Sequence, residues 1–392
     1  MKKQILKKHK LALVVGSLIA STSTVYAENE FGEFGADFRL RYEAVDQANS
    51  KKNADALTLR TLLNFKTKDY SGFSGMIEIE DSRALIDDYN DTNGNNTQYS
   101  VVADPETTEL DQLYVQYKQE GFSAKLGRQV VVLDNHRFVG HVGWRQDKQT
   151  FDAFRFTANE GKWKFDYTYI NQRNRIFADE KDIDSNDHLI NASYKTQYGK
   201  LTGYGYLLEQ DNDINNALDT WGVRWAGNFD KVLMQAEFAL QDFENDTTEY
   251  STEYMLLEGG YKFDKVTAKA GFELLGSDSG EKGFQTPLAT LHKFNGWTDQ
   301  FLSTPDVGLQ DFYVTLAGKL WGGKWMVQYH DFQADDSNAE ADDYGSEVDI
   351  QYTRKITKYV TGGVKYGNYS AGDADTGKVD TDKLWVWLQA KF

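Results

Sequence analysis

The chain has 392 residues, with 43 Lys and Arg against 60 Asp and Glu, 14% aromatic residues, 33 Gly, 3 Pro and no Cys. The formal net charge of −17 excludes nucleic acid as a natural partner, because phosphate binding needs a basic surface. The lack of cysteine excludes a disulfide framework, and the scarcity of proline favours a fold rich in β-sheet.

The first residues are typical of a secretory signal peptide. Five lysines and a short apolar run precede residues 25–27, which suit a signal peptidase. An uncleaved anchor is the alternative, but the run is shorter than the about 20 residues of a spanning helix. We predict a cleaved leader over 1–27. Since no linker interrupts the rest, we predict one barrel domain over 28–392.

Segments that alternate apolar and polar residues recur along the remaining chain. In the first of them, Phe38, Leu40 and Tyr42 alternate with Arg39 and Arg41. Further segments of this kind lie at 57–66, 73–80, 163–169, 232–240 and 266–273. A period of two predicts β-strands with one apolar and one polar face. The sequence therefore predicts an all-β fold.

The connections between the segments alternate in length. Short ones lie at 119–121, 159–162, 197–200, 227–231 and 263–265, and long acidic ones at 82–107, 241–252 and 331–346. Short turns at one end and long loops at the other are typical of outer-membrane barrels. We predict a transmembrane antiparallel β-barrel of about 18 strands (range about 16–18), with short periplasmic turns, long extracellular loops and an aqueous lumen.

Aromatic residues near the strand ends indicate which face meets lipid. They are Tyr42, Phe65, Tyr117, Trp163, Trp221 and Trp225. Such residues form girdles at the lipid boundary, so the apolar face is expected to contact outer-membrane lipid and lipopolysaccharide. The polar face carries charges in mid-strand, which hydrocarbon would not tolerate but a water-filled lumen would.

The last segment predicts how the barrel closes. Leu384, Val386 and Leu388 alternate with Lys383, Trp385, Trp387 and Gln389, and the sequence ends at Phe392. We expect this strand to pair with the first one and so remove the sheet edge. We also expect the barrel assembly machinery to recognise this terminal strand. A secreted β-sandwich or β-helix would share the alternation, but it gives no reason for the terminal Phe or the unequal loops.

Arginines are the candidate pore-lining residues. They are Arg39, Arg41 and Arg60 on the first two strands, Arg128, Arg137, Arg145 and Arg155 in a second region, and Arg224 further along. A ring of guanidinium groups in a narrow pore selects anions or acidic sugars. The alternative is charge balance, in which carboxylates on the same face, such as Asp37 and Glu43, pair with the arginines and form a scaffold.

Two of these arginines fall out of register. Arg128 shares the parity of Leu126, and Arg155 shares that of Phe151 and Ala153, which we expect to face lipid. Either a β-bulge re-aims these arginines or they lie above the membrane at the loop rim.

Two stretches, 126–156 and 284–313, are richer in specific side chains than a solvated loop needs. The first contains Gly-Arg-Gln, Asn-His-Arg-Phe-Val-Gly, Gly-Trp-Arg-Gln and Thr-Phe-Asp-Ala. The second contains Phe-Gln-Thr-Pro-Leu-Ala-Thr-Leu-His-Lys-Phe-Asn-Gly-Trp. These motifs resemble the alginate export family of outer-membrane channels.

The resemblance implies an 18-stranded barrel whose arginine-lined pore passes an anionic polysaccharide. It implies pore or loop positions for Arg128, Arg137, Arg145 and Arg155, and a loop folded into or over the mouth that carries Lys293 and Trp297. We therefore predict a channel for passive diffusion of small hydrophilic or anionic solutes, with acidic oligo- or polysaccharides as the further possibility. A general, non-specific porin is the alternative.

Two other classes of function use other parts of the sequence. An enzymatic barrel would need a dyad such as His136 with Asp134 or His292 with Asp299, but no Gly-x-Ser-x-Gly motif is present. We predict no enzymatic activity, cofactor or metal. An adhesion or binding barrel would use the acidic stretch 331–349, which could hold Ca²⁺ or bridge lipopolysaccharide through divalent ions.

Overall fold

The computed structural model describes residues 30–211, 216–336 and 341–392. The predicted leader over 1–27 lies outside these described residues. Regular structure in the described ranges consists of β-strands and three short 3-10 helices, Asp179–Lys181, Leu291–Lys293 and Ala374–Thr376. None of the helices in these ranges is long and apolar enough to cross a membrane.

The strands follow one another along the whole described chain. The first ten are β1 (Gly32–Gln47), β2 (Ala54–Thr67), β3 (Phe73–Asp88), β4 (Thr107–Gln119), β5 (Phe122–Gln129), β6 (Thr150–Glu160), β7 (Trp163–Asn174), β8 (Ile183–Thr196), β9 (Gly199–Glu209) and β10 (Asn216–Phe229). The others are β11 (Val232–Asn245), β12 (Glu249–Lys262), β13 (Val266–Leu275), β14 (Ser277–Asp278), β15 (Lys282–Gly283), β16 (Leu309–Leu320), β17 (Gly323–Gln333), β18 (Asp343–Lys355), β19 (Val360–Ser370) and β20 (Thr381–Lys391). β14 and β15 form a separate hairpin, and the remaining strands form one 18-stranded sheet.

The sheet closes on itself through β1 and β20. These strands are antiparallel, with Leu40 opposite Leu388. Beyond the end of β20, the Phe392 N–H donates to the Ala36 carbonyl at 2.8 Å, and the Ala36 N–H donates to the Phe392 carbonyl at 3.1 Å. Closure leaves no unpaired sheet edge. The prediction of a closed antiparallel barrel of 18 strands is confirmed.

The barrel strands turn apolar side chains outward and most of their charged side chains inward. Val115 and Leu126 are 60% and 64% exposed on the outside, whereas Arg41 is 1% exposed on the inside. Trp385 and Trp387 also lie on the inner face, where both are buried. The lumen therefore holds tightly packed polar and aromatic side chains.

The connections differ in length between the two ends of the barrel. Turns of two to five residues occupy one end, among them 68–72, 120–121 and 321–322. The longest loops, 130–149 and 276–308, are at the other end. The predicted long loop at 241–252 is wrong, because β11 and β12 continue through most of it and leave only 246–248. The Asn245 side chain stabilises this tight turn by accepting from the Thr248 N–H at 2.7 Å.

Both long loops fold into the lumen. We call residues 130–149 the β5–β6 loop and residues 276–308 the β13–β16 loop. Phe138 of the first packs against Phe284 of the second, with ring centroids 5.9 Å apart, and both rings contact Tyr254 on β12. The hydrophobic core of the molecule is therefore inside the barrel, where the two loops meet the wall.

Candidate functional site

Arg39 binds the β5–β6 loop to the first strand. Its guanidinium donates to Gln146 Oε1 at 2.9 Å, to the Gly143 carbonyl at 3.0 Å and to the Arg145 carbonyl. The Gln146 amide in turn donates to Thr58 Oγ1 on β2 at 2.8 Å. Arg39 forms no ion pair with any described residue, so its charge is stabilised by carbonyl and amide oxygens of the loop.

Arg41 extends this contact toward the β3–β4 loop. It donates to the Asp104 carboxylate and to the Trp144 carbonyl, and it lies 3.5 Å from Glu43. Asp104 also accepts from the Gln146 backbone N–H at 2.8 Å. Burial alone would raise the pKa of Asp104, but Arg41, Arg145 and the Gln146 N–H together outweigh that effect and lower it. Asp104 is therefore an ionised carboxylate between the wall and the loop.

Arg145 joins the two loops to each other. It lies 3.2 Å from Glu43 on β1 and 2.8 Å from Asp299 of the β13–β16 loop. Asp299 is also 2.8 Å from Lys383 on β20 and 2.6 Å from His292. Through Arg145 and Lys383, Asp299 thus connects both loops with β1 and β20, the two strands that close the barrel.

The protonation of this group follows from its contacts. Burial lowers the pKa of His292 to about 3, although Asp299 opposes the shift. Lys365 Nζ, which can only donate, lies 2.7 Å from His292 Nε2, so the ring is neutral. Burial would raise the pKa of Asp299, but His292, Lys383 and Arg145 hold it well below its ordinary value.

Arg137 makes a second connection between the loops. Its guanidinium donates to Glu273 on β13 at 2.7 Å, to Thr286 at 3.1 Å and to Asn295 at 3.1 Å. Tyr254 donates to the same Glu273 carboxylate at 2.6 Å. Arg137 is fully enclosed and all its contacts are with the loops and wall, so it supports the lumen instead of facing open water.

The other inward arginines pair with carboxylates on neighbouring strands. The pairs are Arg60 with Asp37 at 3.1 Å, Arg224 with Glu237 at 3.0 Å, and Arg155 with Asp166 at 2.7 Å. The expectation that Phe151 and Ala153 face lipid is wrong, because they are 0% and 4% exposed on the inner face. The pairing of β6 with β7 shifts next to Ala153, and Arg155 shares its inward register.

Arg128 is a correction to the predicted pore lining. It lies opposite Leu113, which is exposed on the outer face, and pairs with Asp152 at 2.7 Å. Its position at the end of β5 puts it at the outer rim on the long-loop side. Of the two options, re-aiming by a β-bulge or a place at the loop rim, the second applies to Arg128. The strand parity was right, and its assignment to the pore was wrong.

A cavity of about 590 Å³ remains on the short-turn side of the folded-in loops. Its wall comes from the inner faces of β11 to β19, and its roof includes Trp144, Lys293, Phe294 and Trp297. Lys293 donates to the Asn135 carbonyl at 2.7 Å and forms no ion pair within the described ranges. Of the predicted residues, Lys293 is the one that lines this cavity.

Two buried lysines lie outside the set of predicted residues. Lys148 of the β5–β6 loop lies 2.8 Å from Glu78, 3.6 Å from Glu80 and in contact with Asp111. Lys365 on β19 lines the cavity. Both positions carried a signal, since Lys148 follows the Gly-Trp-Arg-Gln motif and Lys365 occupies a polar position in an alternating segment. The candidates predicted from the sequence are arginines and one loop lysine, so these two positions are not among them.

Comparisons with known proteins agree with this architecture. Residues 32–296 match the alginate export family. Pseudomonas aeruginosa OccK9 (OpdG) is similar over 93% of this chain and 98% of its own, at 12% identity and a TM-score of 0.72. Acinetobacter baumannii OccAB3 is similar over 92% and 99%, at 13% identity and a TM-score of 0.67.

A third similar structure was solved with a ligand. It is Pseudomonas aeruginosa OccK2 (OpdF) in complex with glucuronate, similar over 92% of this chain and 98% of its own, at 12% identity and a TM-score of 0.66. At such identities the likeness concerns the fold. A search among curated proteins found no match. The family match covers more than half of the sequence and the fold is a closed 18-stranded barrel, so the chain belongs to the alginate export family and is an outer-membrane channel.

Proposed function

We propose that this channel passes small anionic solutes, acidic sugars among them, in preference to cations. The observation that carries the proposal is the charge around the cavity. Lys293 and Lys365 line it, and neither forms an ion pair within residues 30–211, 216–336 and 341–392. Unpaired cations in a narrow, partly dehydrated passage favour anions over cations.

The carboxylates that line the same cavity already have partners. Glu273 is bound by Arg137, and Glu258 lies 2.9 Å from Lys269. Asp311 lies 2.8 Å from His330. These contacts reduce the negative field that the carboxylates would exert on a passing anion.

The folded-in loops favour small solutes over a polymer. Arg39, Arg137 and Arg145 hold the loops across the lumen through buried hydrogen bonds and ion pairs. We expect loops held in this way to hinder a polysaccharide chain more than a small solute. The glucuronate complex of OccK2, a protein of the same fold, is consistent with a small carboxylate as solute.

A general porin is the second candidate, and one experiment separates the two. Purified protein is inserted in planar bilayers, and the reversal potential is measured in a KCl gradient. We expect anion preference in the wild type and a shift toward cations in the variant Lys293→Gln. Lys282→Gln, which removes an equal charge at the surface of the long-loop end, is the matched control. If the wild-type channel is only weakly selective and Lys293→Gln leaves its reversal potential unchanged, the proposal is contradicted.

The other partner assignments stay predictions. The outward apolar face supports contact with lipopolysaccharide. The β1–β20 closure supports recognition of β20 by the barrel assembly machinery. The absence of enzymatic activity is part of the proposal as well, since the family and the fold are those of a channel.

A further inference from the structure

We infer that three tryptophans in the lumen form an aromatic cage for an ammonium group, and that Lys365 occupies this cage and so holds both folded-in loops against the wall. Trp144 belongs to the β5–β6 loop, Trp297 to the β13–β16 loop and Trp385 to β20. The inference goes beyond the proposed function, because it concerns what fixes the loops and not which ions pass.

The Lys365 ammonium lies close to all three rings of the cage. Its Nζ atom is 3.8 Å from the ring centre of Trp297, 4.5 Å from that of Trp144 and 5.3 Å from that of Trp385. A cation within about 6 Å of a ring centre is attracted by the negative face of the ring, most strongly by tryptophan. Lys365 is only 4% exposed, so water screens this attraction little. Cages of aromatic rings are also the sites in which proteins bind choline and methylated lysine.

Among the described residues, no carboxylate forms an ion pair with this ammonium group. The hydrogen bond that Lys365 donates goes to His292 Nε2 at 2.7 Å. The neutral His292 ring stacks on Trp144, with ring centroids 5.3 Å apart and an interplanar angle of 7°. A buried charge needs a compensating partner. The tryptophan faces and the imidazole nitrogen therefore take the place that a carboxylate has beside most buried lysines.

The tryptophans of the cage act through their rings and not through their polar atoms. The indole N–H groups of Trp144 and Trp385 are buried and have no hydrogen-bond partner within residues 30–211, 216–336 and 341–392. A buried indole N–H usually finds an acceptor, so hydrogen bonds of the side chains do not position these two rings. Ring packing, such as the edge-to-face contact of Trp144 with Trp387, and attraction to the ammonium group are the contacts that do.

The cage connects both loops to the last two strands of the barrel. Lys365 on β19 and Trp385 on β20 are directly opposite each other in the sheet, so the wall part of the cage is fixed by the ladder of hydrogen bonds. Trp144 and Trp297 come from different loops, and both contact the same ammonium group. One cation thus contributes to the docking of both loops at once. Lys365 is a positioning residue, and its loss should release both loops.

The cage borders the cavity under the loops, so a small cation from solution can reach it. Lys365, Trp144 and Trp297 all line this cavity of about 590 Å³. The group that Lys365→Ala removes beyond Cβ corresponds to the propylammonium ion. In that variant the cage is open to the cavity and should bind propylammonium, which would bring the loops back into place.

Single-channel recording of the full chain in planar bilayers tests the inference. We expect Lys365→Ala to raise the frequency of large openings at least about tenfold, the factor that corresponds to losing a desolvated cation–π contact. Propylammonium chloride should lower this frequency toward that of the wild type, whereas 1-propanol, which has a similar size and no charge, should not. The wild type should respond to neither. Equal rescue by both compounds, or no rescue by propylammonium in a folded Lys365→Ala, would overturn the inference.

Two further variants separate charge from packing. Lys365→Met retains an unbranched side chain without the charge, and we expect it to open as often as Lys365→Ala does. Trp297→Leu removes one ring and keeps the lysine, so it should open more often and should not respond to propylammonium. Each variant is first shown to be a folded barrel by its mobility on unheated gels, and Trp297→Leu serves if the Lys365 variants do not fold. Lys282→Gln is the charge-matched control. Wild-type opening in a folded Lys365→Met or Trp297→Leu would refute the cage.

Failure of the cage is distinguishable from failure of the proposed function. The reversal potential reports the anion preference, and the frequency of large openings reports the docking of the loops. An anion-selective wild type with wild-type openings in Lys365→Met rejects only the cage. A cation-selective wild type whose Lys365→Ala variant is rescued by propylammonium rejects only the proposed function.

Discussion

The Arg145 guanidinium lies 2.8 Å from the Asp299 carboxylate, so the two loops inside the lumen are bonded directly to each other. The same arginine also pairs with Glu43 on β1. These contacts make the passage depend on a few buried charges, and each of them can be tested by substitution.

Replacing Arg145 is expected to open the lumen. Arg145→Gln leaves Glu43 and Asp299 buried with fewer partners, and breaking a buried pair in this way costs about 3–5 kcal/mol. The loops should lose their fixed position, and single-channel conductance in planar bilayers should rise. Arg83→Gln, which removes an exposed arginine paired with Asp81 on the outer face, is the control. An unchanged conductance in Arg145→Gln would show that these loops do not restrict the passage.

Replacing Lys148 is expected to destabilise the same loop from its other end. Burial would lower the pKa of Lys148, but Asp111, Glu80 and Glu78 outweigh burial and raise it, so the ammonium is charged at neutral pH. Lys148→Met leaves three carboxylates around an apolar group. We expect a loss of about 3–5 kcal/mol in the free energy of unfolding, measured in urea.

Lys282→Gln provides the comparison for Lys148→Met, since its ion pair with Asp306 is exposed and should contribute little. Similar urea midpoints for the two variants would contradict a structural role for Lys148.

The three arginines of the first two strands should influence both conductance and selectivity. Changing Arg39, Arg41 and Arg60 together to Ala removes the hydrogen bonds that fix the β5–β6 loop and leaves Asp37 and Asp104 without their arginine partners. We expect larger currents and a reversal potential shifted toward cation preference.

Arg128→Ala is the matched control for the triple variant, because Arg128 also pairs with a carboxylate but lies on the outer face. A triple variant that retains the wild-type reversal potential would mean that these arginines do not set selectivity.

Acid should loosen the loops. The pKa of His292 is about 3 in the folded protein, chiefly because burial disfavours the charged ring, and an exposed histidine titrates near about 6.5. Between pH 3 and pH 6.5, approximately, His292 therefore binds a proton when the loop is released but not when the loop is packed. The packing is therefore fully favourable above about pH 6.5 and weakens as the pH falls. Burial also lowers the pKa of His141 to about 4, which acts in the same direction.

The measurement is single-channel current between pH 7 and pH 4. We expect more frequent openings at the acidic end and a weaker pH dependence in His292→Gln, which retains polar contacts without a titrating ring. Protonation of Asp299 also weakens the packing of the loops, but only below about pH 4, because the ionised carboxylate stabilises the packed loops and this stabilisation is lost when it protonates. Less frequent openings at pH 4 than at pH 7 would contradict this prediction.

The sequence was sufficient to predict the wall but not its interior. Alternation with a period of two is imposed by lipid on one side and water on the other, so strand faces, strand number and closure were readable from local patterns. The contacts in the lumen join residues far apart, such as Arg39 with Gln146, and no local pattern encodes such a pairing. An apolar residue failed to mark the lipid face at Phe151 and Ala153, because the folded-in loops fill the lumen there with apolar side chains and both residues pack into that core.

The order of pairing in the wall has a consequence for assembly. Each strand of the barrel bonds to its successor along the chain, with β20 to β1 as the single exception, so the cylinder can grow hairpin by hairpin. The interior cannot, because Arg137 must meet Asn295 across 158 positions of sequence. We therefore expect docking of the loops to follow completion of the cylinder, since Asp299 also contacts Lys383 on the last strand. A newly inserted molecule whose loops have not yet docked is then expected to have a wider lumen than the folded channel.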